Sequence, residues 1–456
     1  MIPYVDFSFN KRPFASKNPF EMHDEPLTIF IDRASFKGTP KKLKVLLMQA
    51  SENLNIVSPK KEGSAHLEYM DRDDDVLGFT VTQLDSTSIG HHGIPSISQY
   101  DRLSKVPDFT RWATSGEIYR AFIAARTAEA LGAILITQDK FLLEHKAIGI
   151  IGDAYPLTID EGMALIGLVQ RRRNNFEIVT RVGVPKYTYN YSRWLYFWYA
   201  SRDLLPSGWR LVTGSAQVPD DYKCRDLSLT VIARLSSVLK CRDHIHEQLY
   251  LEQTNSSTED AIFYLDYYMV SLVAAFDVLA RVAHAIYQPS TRATVTWRGS
   301  AHGRSWLSAL TTQDASLASL MQPTAFCRDV LDFVAILRNF IHAEGLQGAT
   351  HTKNGKRAPT LLHVPEGEVT RIFDIIQRLG PTNWNIDRPR PNVMFLEIGN
   401  LVENITPLAA EALETIMKNI DVTRVPGYDP TKVQTRPPSK WATKDDLAMI
   451  RAFLGL

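Results

Sequence analysis

Residues 117–141, which read EIYRAFIAARTAEALGAILITQDKF, predict a helix followed by a buried strand. The helix begins near Glu117, since an acidic residue that follows Thr-Ser-Gly is a helix-start signal. Its apolar and alanine residues recur at three- and four-residue spacing, and Gly132 ends it. The apolar run 133–136 then predicts a strand, with Asp139 just beyond its end. This stretch therefore predicts a carboxylate at the carboxyl end of a buried strand.

Neighbouring segments extend the pattern into an α/β sheet. Leu27–Ile31 (LTIFI) is a short apolar run that predicts a strand, and Asp32 follows it directly. Residues 148–151 predict a further strand, and Thr158 precedes a helix over 160–169. Strands that alternate with helices favour a mainly parallel sheet. In such sheets the polar residues beyond the carboxyl ends of the strands form the site.

Three carboxylates share this setting. Asp32 and Asp139 come just after apolar strands, and Glu117 opens the helix that leads into the second of them. Carboxylates gathered at one edge of a sheet repel each other unless a divalent cation joins them, and Mg²⁺ or Mn²⁺ takes oxygen ligands. A cation of this kind fits a cluster of Asp32, Glu117 and Asp139. The alternative is an α/β domain with ordinary helix-capping acids, in which Asp139 caps the helix at Phe141 and Glu117 favours the N-terminus of its own helix.

The second half of the chain has a helical period. Apolar residues at three-four spacing predict a series of helices over 227–251, 259–287, 326–342, 368–379, 401–420 and 444–454. Residues 351–365 predict a two-stranded hairpin or a loop. The aromatic-rich residues 179–225 show no clean period and are interpreted as a connector between domains.

The helix over 326–342 closes on LRNFIHAE (337–344), which carries an arginine and a histidine four residues apart. On a helix Arg338 and His342 lie one turn apart on the same face. Arginine offers a fixed set of donors for a phosphate, and histidine exchanges a proton near neutral pH. The alternative is a structural helix end, in which Arg338 pairs with Asp332 or Glu344.

The helix-strand unit 117–141, together with Asp32 after LTIFI, resembles the PIN-domain ribonucleases over roughly residues 27–170. That family has an acidic residue at the start of the helix, a stripe of small residues, a glycine, a buried strand and then Thr-x-Asp. The resemblance implies that Asp32, Glu117 and Asp139 are ligands of Mg²⁺ or Mn²⁺ in an RNA-cleaving site. The family's second acidic residue falls among three candidates: Glu62, Glu68 and Asp71.

The helical half, through its RNFIH motif, resembles the HEPN family of helical ribonucleases and nucleotide-binding modules. The family's signature is an arginine and a histidine on one helix, commonly with a polar residue after the arginine. The family usually has four to six residues between the arginine and the histidine, whereas this chain has three. The resemblance implies that His342 is the general base on the ribose 2′-hydroxyl and that Arg338 holds the phosphate, with Asn339 orienting either group. It implies a homodimer through the helical domain, a cyclic phosphate product and no cofactor at this site.

The composition bounds the partners without identifying them. The 456 residues have 45% apolar and 22% charged residues, as in an ordinary globular protein, and Lys+Arg is 51 against Asp+Glu 50. Because basic and acidic residues are nearly equal in number, the overall charge does not indicate a nucleic-acid-binding protein. Any RNA binding therefore depends on local patches of positive charge. Three cysteines, the lack of a signal-peptide pattern and apolar segments interrupted by charge lead us to expect a cytoplasmic protein that does not enter a membrane. Cys241, His244 and His246 are a weaker zinc candidate.

These observations predict two domains joined by a connector. The ranges are a lead-in 1–26, a PIN-like α/β domain 27–178, the aromatic connector 179–225, a HEPN-like all-α domain 226–420 and a tail with a short helix 421–456. The two resemblances imply a ribonuclease or RNA-targeting protein of the bacterial toxin or phage-defence type. The competing prediction is a non-catalytic protein that dimerises or senses a nucleotide.

Overall fold

The chain divides into two compact units, one centred on residues 8–190 together with 452–455 and the other on 191–451. A computed structural model describes residues 20, 25–38, 40–47, 49, 54–57, 78–84, 88–93, 121, 124–125, 128, 132–144, 156–179, 188–215, 223–251, 254–288, 295–297, 301–343, 345–349, 352–353, 356–357, 360–380, 384–425, 427–434 and 444–456.

The first unit is built on a parallel sheet. The strands of the unit as a whole are β1 (Leu27–Ile31), β2 (Leu54–Val57), β3 (Gly78–Leu84), β4 (Ser88–Gly93), β5 (Ile134–Ile136), β6 (Pro156–Leu157), β7 (Glu177–Val179) and β8 (Thr188–Asn190). Four of them form a sheet in the order β2-β1-β5-β6, and every neighbouring pair is parallel. β1 and β5 are the inner strands and are almost wholly buried, which explains their uninterrupted apolar sequences. The prediction of a mainly parallel sheet is confirmed.

The helices of this unit whose bounds the structure describes are α1 (Lys41–Leu47), α2 (Lys140–Glu144) and α3 (Ile159–Arg172), and residues 121, 124–125 and 128 are also helical. Thr158 caps α3 as its sequence predicts, because its side chain accepts from the Glu161 amide while the Glu161 carboxylate accepts from the Thr158 amide. Gly132 has a φ of +59°, which suits the residue that ends the preceding helical segment. Glu117 and the predicted strand at 148–151 lie outside the described residues.

The remaining strands of this unit form two antiparallel hairpins, β3 with β4 and β7 with β8. The C-terminal residues also belong here, since Arg171 donates from Nη1 to the Phe453 carbonyl at 2.7 Å. Gly167 is required at this contact, because a Cβ there would overlap the Phe453 carbonyl oxygen.

The second unit is mostly helical. Its helices are α4 (Arg193–Leu204), α5 (Pro206–Gly214), α6 (Cys224–Tyr250), α7 (Asn255–Tyr287), α8 (Ala301–Gln313), α9 (Ala315–Ser319), α10 (Phe326–Ala343), α11 (Val369–Leu379), α12 (Ile398–Asn419) and, as far as Arg451, α13 (Lys444–Leu454). α6 and α7 make the most extensive helix pair, and α10 and α12 also pack against α7. The long helices of the prediction are present within a few residues of their expected ends.

This unit also contains strands, so the prediction of an all-α half was incomplete. They are β9 (Gln347–Ala349), β10 (Thr352–Lys353), β11 (Lys356–Arg357), β12 (Leu361–Val364), β13 (Ile386–Arg390) and β14 (Val393–Glu397). β10 and β11 pair as the predicted hairpin, whereas β13-β14-β12-β9 form an antiparallel sheet that was not predicted. Pro389 obscured β13 in the sequence, and it is tolerated there because β13 is an edge strand.

The segment 179–225, expected to be a connector, instead contains β8, α4 and α5, and the helical unit begins at Tyr191. The periodicity of α4 is hidden because aromatic residues occupy its exposed face as well as its buried one: Trp194 is exposed, whereas Tyr196 and Tyr199 are buried.

One helix among the described residues, α7, is long and apolar enough to cross a membrane by length and composition. Its most apolar window is 61% buried by the rest of the protein, and core helices pass the same test.

A cluster of three ionisable residues lies in the core of the helical unit: Arg242 and His246 on α6, and Glu403 on α12. Arg242 donates from Nε and Nη2 to the two Glu403 oxygens at 2.9 and 2.6 Å, and His246 Nε2 lies 2.7 Å from Glu403 Oε1. Burial lowers the pKa of His246, against the opposing effect of the Glu403 carboxylate. Burial alone would raise the pKa of Glu403, but the charge of Arg242 and its two hydrogen bonds lower it overall. At neutral pH the cluster is therefore an Arg–Glu ion pair with a neutral imidazole.

Candidate functional site

The carboxyl ends of β1 and β5 bring two of the three predicted acids to one place. The chain runs from β1 to β2 on one side and returns on the other side of β1 as β5, so the strand order reverses between β1 and β5. In open α/β sheets the crevice at such a reversal is the usual ligand site. Asp32 follows β1 directly, and Asp139 lies just beyond β5.

Hydrogen bonds fix both acids on this edge. The Asp32 amide continues the sheet by donating to the Ile136 carbonyl at 3.0 Å. The Thr137 hydroxyl donates to Asp32 Oδ2 at 2.9 Å and accepts from the Asp139 amide at 3.0 Å. Thr137 thus joins the Asp32 carboxylate to the backbone of Asp139, and we call these three residues the carboxylate rim.

A second hydroxyl braces the same loop. Ser35 donates from Oγ to the Asp32 carbonyl at 2.7 Å and accepts from the Gln138 amide at 2.8 Å. Asp139 also caps α2, because its Oδ1 accepts from the Leu142 amide at 3.2 Å. Asp139 is thus also a helix cap, and this bond holds its carboxylate on the rim.

The donor chemistry of the rim fits a hard divalent cation. The two carboxylates follow neighbouring strands, and neighbouring strands in a sheet lie about 4.8 Å apart. Carboxylates supply the oxygen ligands that Mg²⁺ and Mn²⁺ prefer. Within the residues that the structure describes, no group of three or more metal-binding side chains occurs. The third predicted ligand, Glu117, and the candidates Glu62, Glu68 and Asp71 lie outside those residues.

The second predicted site lies at the end of α10. This helix is continuous over Phe326–Ala343, so Arg338 and His342 are one turn apart on its backbone. Arg338 is half-buried, and its Nη1 donates to Asn339 Oδ1 at 3.4 Å. The Arg338 Nε is buried without a hydrogen-bond partner among the described residues. The side chain of His342 is outside the described residues.

In the alternative interpretation, Arg338 only stabilises the helix end by pairing with Asp332 or Glu344. Asp332, one of its two proposed partners, accepts instead from Arg328 Nε at 2.8 Å and from Arg371 Nη2 at 3.3 Å. The other proposed partner, Glu344, lies outside the described residues. Among the acids that the structure describes, none pairs with Arg338.

The zinc candidate does not assemble. His246 is engaged with Glu403, and His244 stacks on Tyr264 with ring centroids 4.3 Å apart. Burial raises the pKa of the Cys241 thiol to about 12, which disfavours the thiolate that zinc requires.

Sequence reasoning missed Ser35 and Thr137, which organise the rim, and Glu403, which joins the core cluster. Thr137 lay inside the Thr-x-Asp motif, so its spacing to Asp139 was the available signal. Comparison with protein families, with curated proteins and with solved structures finds no match for this chain.

Proposed function

We propose that this chain is a divalent-metal-dependent ribonuclease that cleaves RNA at the carboxylate rim. The observation that supports the proposal is the joining of Asp32 and Asp139 through Thr137 at the reversal of strand order. Asp32 and Asp139, with Glu117, would hold the ion. A divalent ion bound there lowers the pKa of a coordinated water and stabilises the charge of the phosphate.

The chain's own residues contribute preorganisation. Thr137 and Ser35 hold the backbone and the Asp32 carboxylate before substrate arrives, so little reorganisation is needed on binding. Lys140, exposed beside Asp139, offers a point charge to the substrate backbone. RNA is the substrate because of the resemblance to the PIN-domain ribonucleases, and that resemblance also suggests the toxin or phage-defence role.

Removal of divalent ions tests this proposal. We expect the purified protein to cleave total RNA in Mg²⁺ or Mn²⁺, to stop in EDTA and to recover when the ion is restored. Because the attacking group is water, the 3′ ends should not carry cyclic phosphates. Mapping both ends of the products measures this. Cleavage that continues unchanged in EDTA, or no cleavage in either ion, would show that the rim is not the cutting site.

A second candidate function is metal-independent cleavage at Arg338 and His342. The observation that favours it is the Arg338 guanidinium, which is half-buried on α10, has an unpartnered Nε among the described residues and contacts Asn339. A buried donor without a partner is costly, and a phosphate oxygen would satisfy it. In this mechanism His342 is the base on the 2′-hydroxyl, and two copies of α10 face each other in a homodimer, as the HEPN resemblance implies.

Substitution of Arg338 by alanine distinguishes the two routes. If the second candidate holds, R338A lowers EDTA-resistant cleavage by about 10²-fold, the effect typical of removing one donor to a developing charge. The products measured in the wild type should end in 2′,3′-cyclic phosphates. Arg371→Ala on α11 is the matched control, because Arg371 is an exposed arginine bound to Asp332. Equal rates for R338A, R371A and the wild type would contradict this role.

A further inference from the structure

The helix α7 has two apolar faces, of which only one is covered. Its inner face, which includes Leu265 and Leu272, is fully buried in the helical unit. On its outer face Phe263 and Tyr267 are 66% and 49% exposed. The outer face of a core helix is normally polar, and exposed aromatic side chains one turn apart usually mark an interaction surface. The outer face of α7 is therefore a candidate for contact with another molecule.

The outer face has the spacing of a coiled coil. Its residues follow one another at alternating intervals of three and four, with the last one a heptad further on: Asp260, Phe263, Tyr267, Val270, Ala274 and Arg281. We call these six residues the outer seam. Residues at this spacing form the line along which one helix packs against another. At the rise of an α-helix the outer seam is about 30 Å long, which suits a helix lying along it.

The two ends of the outer seam carry opposite charge. Glu259 and Asp260 are exposed in the second turn of α7, on either side of the direction in which Phe263 points, and Arg281 is exposed towards the other end of the helix. Within the part of the chain that the structure describes, none of the three forms an ion pair. The outer seam is thus acidic at one end, apolar in the middle and basic at the other end.

Two further acids of α7 lie beside the seam and are less exposed. Asp277 accepts from the Thr296 hydroxyl at 3.3 Å. Asp266 is half-buried, and burial raises its pKa to about 6. The fully exposed charges of α7 are therefore those of Glu259, Asp260 and Arg281.

We propose that α7 packs antiparallel against α7 of a second copy of this chain, about a two-fold axis near Val270. Asp260 and Arg281 lie nearly the same number of residues on either side of Val270, so this axis brings Asp260 of each copy to Arg281 of the other. Phe263 and Tyr267 of each copy then pack along the half of the other helix that contains Ala274, whose small side chain leaves room for a ring.

Charge favours a second copy as the occupant. A two-fold interface needs a surface that is complementary to itself. The outer seam meets this condition in the antiparallel direction, whereas a parallel pair would bring acid to acid and arginine to arginine. A polyanion would instead meet Glu259 and Asp260 beside the most exposed ring. The interface on α7 is different from the α10 homodimer that the HEPN resemblance implies, and it depends on neither cleavage site.

Sedimentation of the purified full-length chain tests the proposal. We expect a dimer with twice the 51.5 kDa of one chain. Phe263→Ala should weaken dimerisation at least about 10-fold, because an interface ring is lost from both copies. Phe263 is mostly exposed, so this variant should keep the fold, which circular dichroism checks.

Exchange of charge tests the antiparallel direction. Asp260→Arg alone and Arg281→Asp alone should each weaken self-association at least about 10-fold, because each brings like charges together at both ends of the seam. An equal mixture of the two variants should form a heterodimer, since both of its end contacts then join opposite charges. Arg390→Asp is the matched control and should dimerise as the wild type does. Arg390 is exposed on β13, at the edge of its sheet opposite β9, the strand that packs against α7.

Three results would overturn the proposal. The first is a wild-type chain that remains monomeric at the highest concentration reached. The second is a dimer of wild-type affinity in Phe263→Ala and in both charge variants, which would move the interface to another face, α10 included. The third is a mixture of the two charge variants that associates no better than either variant alone.

Discussion

Substitution of Glu403 by alanine is expected to lower the free energy of unfolding of the helical unit by about 3–5 kcal/mol. Glu403 is about 5% exposed and neutralises Arg242, whose side chain is about 1% exposed. Its removal takes away the carboxylate that binds the buried Arg242 guanidinium through two hydrogen bonds, and leaves a cavity between α6 and α12. The loss is larger than for most single substitutions because a buried charge cannot recover its hydration. Urea unfolding followed by the helical circular dichroism signal measures it.

Two comparisons isolate the cause. Arg371→Ala removes two ion pairs, with Asp332 and Glu368, from an arginine side chain that is 53% exposed, and should cost no more than about 1 kcal/mol. Replacing the whole cluster with apolar residues (Arg242→Met, His246→Leu and Glu403→Leu together) should recover most of the loss, since buried ion pairs are often no more stabilising than well-packed apolar groups. If E403A costs no more than R371A, the buried cluster does not carry the charge balance described here.

The elements that the sequence predicted well are those whose signal is local. β1 and β5 are short apolar runs buried on both faces, and α3 begins with a Thr158–Glu161 capping box that can be read from four residues. In α10 apolar residues recur at helical spacing, and the middle of the helix is buried on nearly every side. In each case the pattern and the burial depend on neighbours in sequence, so one chain without relatives suffices.

The features that escaped prediction depend on partners distant in sequence. Arg242 and Glu403 are 161 residues apart, and the Thr137–Asp32 hydrogen bond spans 105 residues. Neither the residue types nor their spacing in the sequence predicts a contact between residues so far apart. The sheet of β9, β12, β13 and β14 was missed because its strands are short and Pro389 lies within β13. The positions of Asp32 and Asp139 were predicted, but Thr137, which connects them, was not assigned a role.

Replacing Asp139 with asparagine is expected to lower Mg²⁺-dependent RNA cleavage by roughly 10²- to 10³-fold, if the carboxylate rim is the cutting site. That range corresponds to the several kcal/mol of charge stabilisation that a bound ion supplies, at about 1.4 kcal/mol for each factor of ten. Asparagine keeps an oxygen that accepts from the Leu142 amide, so the cap of α2 persists while the negative charge is lost. Initial cleavage rates across a Mg²⁺ titration measure the effect.

Controls within the same unit separate charge at the rim from charge elsewhere. Asp32→Asn keeps an acceptor for the Thr137 hydroxyl and should reduce the rate as strongly as Asp139→Asn. The double variant should be little worse than either single one, because residues that act as a unit are not additive. Glu177→Gln removes an exposed acid on β7 and should leave the rate unchanged. Both rim variants should unfold at the wild-type temperature within a few degrees, since their hydrogen bonds are kept. Wild-type rates in D32N and D139N would leave the rim as a structural junction and move any nuclease activity to another part of the chain.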